Sequence, residues 1–155
     1  PGDTRSPMVT GHYPSPGETG VNANSTVRAI FDEALDPTTV NSSTFELRDA
    51  TGRRVPASVR YESATLTAVL TPLTPLEPGG RYTVALRGGP SGASRAHITD
   101  LSGIPLAACQ AWSFEIARPR IGRIFGMGFL VVLGVVVAFL ATMLLGTRPI
   151  HERGP

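Results

Sequence analysis

The sequence predicts an all-β chain: one antiparallel β-sandwich of about seven strands, followed by a single C-terminal transmembrane α-helix. Three observations carry this. Short apolar runs recur at a period of two. Between them fall turn signals in a chain with 17 glycines and 14 prolines among 155 residues and no collagen-like repeat. Residues 124–147 then run for 24 positions without a charge or a proline.

The strands follow in order. A first is placed at Met8 to Tyr13. Val27, Ala29 and Phe31 alternate next, then Phe45 with Leu47, then Val55, Ala57, Val59 and Tyr61. Leu66, Ala68 and Leu70 form a fifth run, Tyr82, Val84 and Leu86 a sixth, and Trp112, Phe114 and Ile116 a seventh. Period-two alternation means one buried face and one wet face, the pattern of antiparallel sheets. About seven such strands over roughly 100 residues have the dimensions of an Ig-like sandwich. Phe31, Leu70, Tyr82, Trp112 and Phe114 are assigned to its inter-sheet core. The connections agree: Asp49 to Gly52 and Glu77 to Gly80 supply turn glycines, and Asp36 can cap a short helical turn that begins at Pro37. Tyr82 opens a strand just after the Pro78–Gly79 turn, the position of a tyrosine corner whose hydroxyl bonds nearby backbone. No repeat of 20 to 50 residues is visible, which argues against a propeller or solenoid.

Several of these pieces together resemble a known family. Pro14-Ser-Pro16-Gly-Glu-Thr-Gly20-Val21 forms the first corner, followed by Val27 to Phe31, Asp32-Glu33-Ala-Leu35-Asp36-Pro37, and Thr39-Val40. Then come Thr44-Phe45-Glu-Leu47 through Gly52, Leu76 through Val84, Asp100-Leu-Ser-Gly103, and Trp112-Ser-Phe114. In this order, from Pro14 to Ile116, they resemble the bacterial Ig-like domain of the S-layer protein type. Asp32 and Ile104 depart from the residues usual there, and Ile104 is expected to affect the turn before the last strand. The resemblance implies an extracytoplasmic, non-catalytic module and carries over no catalytic residue.

The 24-residue apolar run would reach roughly 36 Å as a helix, enough to cross a hydrocarbon core of ~30 Å. A domain of this size cannot surround a helix that is apolar on every side, so the run is read as transmembrane. The expected organisation is a leader at 1–7, the sandwich at 8–117, a basic juxtamembrane connector at 118–123, the helix at 124–147 and a short tail at 148–155. Arg118, Arg120 and Arg123 on one side against Arg148 and Arg153 on the other leave orientation undecided by charge. The chain opens on Pro1 without a hydrophobic segment, so a removed export signal or a longer precursor is expected upstream.

Composition narrows the chemistry. All 14 basic residues are arginines, and the pI near 9.2 belongs to the C-terminal part. Residues 1–117 hold 9 Arg against 11 Asp and Glu, which argues against nucleic acid as a partner. One cysteine, Cys109, permits neither an intrachain disulfide nor a cysteine-built zinc site. His12, His97 and His151 lie far apart, and the local carboxylates Asp32, Glu33 and Asp36 lack a glycine-containing calcium loop, so no metal and no cofactor are expected. Ser91 in its Gly-Pro-Ser-Gly context is not a nucleophile elbow, and with His97 and Asp100 it makes a triad only on paper, so no catalytic residue is assigned. Asn24 and Asn41 begin glycosylation sequons that chance explains in a Ser/Thr-rich chain.

The reading is therefore a non-catalytic single-pass membrane protein that presents its Ig-like domain to the extracytoplasmic side. Its partners are the lipid bilayer and other membrane or envelope proteins, with an accessory or structural subunit of a larger complex as the concrete form. Self-association is a further option, because Gly134, Ala138 and Ala141 form a small-residue face on which another helix can pack. That face is expected to contribute more than the outer sheet surfaces. The loop Gly88 to His97, with Gly89, Ser91 and Arg95, is the candidate recognition loop. The alternatives are a surface glycan or cell-wall binding module and, more weakly, a periplasmic copper-handling domain.

Overall fold

The computed structural model describes residues 4–89 and 96–119. The chain divides into two compact units, Pro1–Pro119 and Arg120–Pro155, and every described residue belongs to the first. The segment 124–147, with Gly134, Ala138 and Ala141, lies outside the described residues, as do Ser91 and Arg95. Among the described residues no helix is long and apolar enough to cross a membrane.

Seven strands form: β1 (Val9–Tyr13), β2 (Val27–Phe31), β3 (Phe45–Arg48), β4 (Ala57–Glu62), β5 (Thr67–Pro72), β6 (Arg81–Leu86) and β7 (Gln110–Glu115). They make two antiparallel sheets, β1-β2-β5-β4 and β3-β6-β7. This four-plus-three division is that of an Ig-like sandwich. Alternation does the sorting: Val27, Ala29 and Phe31 point inward from β2, and Tyr82, Val84 and Leu86 from β6. Phe31, Leu70, Tyr82, Trp112 and Phe114 are 1 to 6% exposed and lie in one core cluster with Phe45 and Leu47. Leu35, Val40, Ile98 and Leu106 belong to the same cluster from outside the strands.

Local chemistry accounts for the connections. Asp36 caps the 3₁₀ turn Pro37–Thr39 by accepting from the Thr38 amide at 2.9 Å. Asp49 accepts from the amides of Thr51 (2.9 Å) and Arg53 (3.0 Å), and Gly52 takes the positive φ of 82° that closes the turn. The Tyr82 hydroxyl accepts from the Glu77 amide at 2.9 Å, a tyrosine corner. Asp100, 3% exposed, accepts from the amides of Ser102 (2.9 Å) and Ile104 (2.6 Å). The Asp100 turn thus accommodates Ile104 through its backbone N–H, which any residue but proline would supply.

The first strand starts at Val9 rather than Met8, and three further strand boundaries differ from the sequence reading. Val55 does not open β4: its amide donates to the Leu47 carbonyl at 2.8 Å, so residues 53–55 cover the edge of β3, and the chain reaches the other sheet only after Pro56. Proline has no N–H to continue the first ladder. Leu66 has the parity of a strand residue but sits at φ 51° after the 3₁₀ turn Ser63–Thr65, as the left-handed corner of the β4–β5 hairpin. Ile116 lies one residue past β7, in a parallel bridge to Val21.

That bridge belongs to a longer seam. Residues 17–21 run beside β7, with Gly17 N to Ser113 O (2.7 Å), Glu115 N to Glu18 O (2.8 Å), Val21 N to Glu115 O (3.1 Å) and Ala117 N to Val21 O (2.8 Å). The seam covers an edge that would otherwise offer unpaired backbone groups to another chain.

Candidate functional site

The described ends of the Gly88 to His97 loop are packed. Gly88 is buried; a Cβ there would stand 2.5 Å from the Ala108 carbonyl oxygen and 2.8 Å from that of Leu106. Residues 87 to 89 are bonded back to the segment 98–106, with Gly89 N on Leu106 O at 2.8 Å and Ile98 N on Arg87 O at 3.0 Å. Gly89 and His97 are half-buried, and both ring nitrogens of His97 are enclosed without a hydrogen-bond partner among the described residues. The glycine that reads as loop flexibility is therefore a close backbone approach. Gly88→Ala should lower stability by ~1 to 3 kcal/mol, because the backbone must shift to admit a methyl group. An unchanged denaturation midpoint would refute this packing.

The structure assembles instead a charge cluster that sequence reading missed. Glu46 points to the outer face of β3, yet its side chain is only 2% exposed, because three guanidinium groups close over it. Arg48 Nη2 reaches Oε2 at 2.6 Å, while Arg54 Nη2 (2.6 Å) and Arg87 Nη2 (2.9 Å) both reach Oε1. Arg48 and Arg54 are bridged directly across from one another, a like-charge pair that is unfavourable without the carboxylate below. Burial works against the ionised form of Glu46, but hydrogen bonds from Arg54, Arg87 and Arg48 outweigh it and hold the pKa down at about 2. Backbone carbonyls fix two of the arginines further: Arg48 Nη1 donates to Gly52 O at 3.0 Å and Arg87 Nε to Ser43 O at 2.7 Å. Three positive charges on one carboxylate leave a local excess of two, in a region whose overall balance is acidic.

The outer face of the other sheet is organised differently. Arg28 and Arg60 flank Val69 across β2, β5 and β4, and Val69 is 3% exposed on this outward side. Arginine stems cover such positions while their heads stay in water. Thr26, Arg28, Ile30, Arg60, Glu62 and Val69 are among the residues lining a surface depression of about 340 Å³. Its two guanidiniums face one carboxylate: Arg60 Nη2 pairs with Glu62 at 2.7 Å, and Arg28 lies over the Tyr13 ring at 5.5 Å.

The carboxylates near Pro37 have structural work. Asp32 accepts from the Met8 amide at 2.8 Å and lies 3.7 Å from Arg5, and hydrogen bonds from Thr38 lower the pKa of Asp36. His12 packs edge-on against Trp112 with centroids 4.5 Å apart, and Trp112 Nε1 donates to Pro14 O at 3.0 Å. Among the described residues no group of three His, Cys, Asp or Glu could hold a metal ion.

Residues 3–116 match the family described as bacterial Ig-like domain, and the chain belongs to that family. No curated protein is similar enough in sequence to count as a relative. Among solved structures, surface layer protein SbsC, domains 1–6, is similar at 19% identity and a TM-score of 0.53, over 75% of this chain but 14% of that one. CopC from Methylosinus trichosporium OB3b is similar at 14% identity and a TM-score of 0.57, over 74% of this chain and 96% of that one. PcoC, a methionine-rich copper resistance protein from Escherichia coli, is similar at 18% identity and a TM-score of 0.54, over 72% and 99% of the respective chains. At these identities the likeness is one of fold.

Proposed function

We propose that this chain is a non-catalytic, single-pass membrane protein that presents its Ig-like domain to the extracytoplasmic side and works through protein contacts, as an accessory or structural subunit of a larger membrane assembly. The observation that carries the reading is the coupling, in one chain, of a family domain matched through residue 116 to an uncharged 24-residue run from 124 to 147. A basic connector at 118–123 joins the two, and 148–155 forms the inner tail. The S-layer neighbours support an envelope setting. Association within the membrane uses the face of Gly134, Ala138 and Ala141, where small residues allow close helix contact.

Neither alternative has comparable support. A glycan platform needs exposed aromatic faces; Trp112 is 6% exposed, and Tyr13, at 45% exposed, already has Arg28 over its ring at 5.5 Å. Copper handling draws on likeness to PcoC in fold alone.

Two measurements test the reading. Protease added to sealed spheroplasts should digest residues 1–117, and protection of that region would reverse the proposed topology. Native protein purified in mild detergent should bring a membrane or envelope protein with it, and Gly134→Leu/Ala138→Leu should weaken that association without preventing insertion, since leucine is fully compatible with spanning. Purification of the chain alone under all such conditions would end the subunit reading.

A further inference from the structure

We propose that the outer face of β3-β6-β7 is a docking surface for an acidic, extended segment of a partner protein, gripped by Arg48, Arg54, Arg87 and Arg81. This rests on the protein-contact reading above and names where the contact falls and what chemistry it takes.

Three observations converge on this face. First, it carries an uncompensated charge. Arg48, Arg54, Arg81 and Arg87 stand against Glu46 and Glu115, and Glu115 already has Arg118 at 3.5 Å. Second, donors remain available. Among the described residues Arg54 bonds only through Nη2, Arg48 leaves Nε unused and Arg87 leaves Nη1 unused. The three side chains are 30 to 47% exposed, so those donors have access to a ligand. Third, the ground between the arginines is low. Thr83 and Ala85 on β6 and Ala111 and Ser113 on β7 are the outward residues, and Arg81 Nη2 is held by Ser113 Oγ at 3.1 Å.

The occupant follows from geometry and charge. Glu46 shows that these guanidiniums receive a carboxylate at 2.6 to 2.9 Å, and a planar fork is suited to carboxylate oxygens. Arg81 opens β6 and Arg87 follows its last residue, so the two stand at the ends of one outward row, about 20 Å apart at ~3.3 Å per residue. An extended peptide places same-side carboxylates every ~6.6 Å, so a short acidic run can meet both ends of the row and the cluster between them. Recognition of this kind fixes register and weakens as salt rises.

The test uses the full chain in detergent micelles and a fluorescent peptide of alternating Glu and Gly, about eight residues long. Anisotropy should show binding that weakens at least about fivefold from ~50 to ~300 mM NaCl. Arg48→Gln/Arg54→Gln, which keeps the Arg87–Glu46 pair, should lose at least about fivefold in affinity at low salt, with folding checked by thermal unfolding. Should that variant unfold, Arg81→Gln, outside the Glu46 cluster, should still lose about twofold or more. The proposal is overturned if the peptide does not bind, or if folded variants bind it as the parent does. It is equally overturned if vesicles containing phosphatidylglycerol or a polyphosphate chain compete far better than the peptide, which would assign the face to lipid or to a phosphate polymer. A negative peptide result together with a co-purifying partner would reject this surface while leaving the subunit reading intact.

Discussion

Glu46→Gln should lower stability near neutral pH by about 2 to 3 kcal/mol and remove an acid-sensitive part of the stability profile. The carboxylate is 2% exposed and is the common anion of three guanidiniums. Its pKa falls from 4.5 to about 2 on folding, so the folded state favours the ionised form. The associated stability is complete above about pH 4.5 and is lost as pH falls toward 2. The pKa difference alone corresponds to about 3 kcal/mol at most, and screening at half-exposed arginines reduces it toward about 2. In the amide variant Arg48 and Arg54 still face one another without the charge that reconciles them. Thermal unfolding measured between pH 7 and 2 checks both statements. Parallel profiles for variant and parent would show that the cluster is electrostatically silent.

Phe114→Ala should cost ~3 to 5 kcal/mol, the range for truncating a buried aromatic. Phe114 is 2% exposed and lies directly across from Tyr82, with ring centroids 6.0 Å apart and planes inclined by 27°. The substitution opens a cavity in the inter-sheet core beneath β6 and β7 and removes an aromatic pair that contributes beyond its buried area. It also loosens the ring whose hydroxyl receives the Glu77 amide, so the β6 corner should become exchange-labile with the core. Denaturant unfolding of parent and variant gives the cost directly. A loss under about 1 kcal/mol would contradict the central position assigned to this ring.

What the sequence made legible follows from how far each signal travels along the chain. The inward residues of β2, β6 and β7 declare themselves by alternation over five or six positions, because a strand with one buried face must repeat every second residue. Leu66 shows the limit of that rule: it has the right parity and polarity, but a tight hairpin between β4 and β5 needs a left-handed corner there. Pro56 could have divided the run that begins at Val55, since a residue without an N–H cannot continue a ladder. Glu46 is the deeper omission. Its partners come from its own strand, from the segment after the Asp49 turn and from the end of β6, 41 positions away, and only sheet topology brings them over one carboxylate. The motif Phe-Glu-Leu-Arg shows an outward acid and an outward base; nothing in it says that the acid is buried. The packing at Gly88 is hidden for a related reason, because glycine marks loop freedom and close backbone approach with the same letter.

The seam between residues 17–21 and β7 has a mechanical consequence. Those two stretches run in the same direction, so tension arriving through Ala117 pulls along the pair rather than peeling it open. The amides of Gly17, Val21, Glu115 and Ala117 then resist together, as does Ile116, which is bonded to Gly80 on the opposite side at 2.9 Å. Bonds loaded in parallel yield at a higher force than bonds broken one after another. A domain tugged from its C-terminal end thus meets that pull first with a pair loaded along its length.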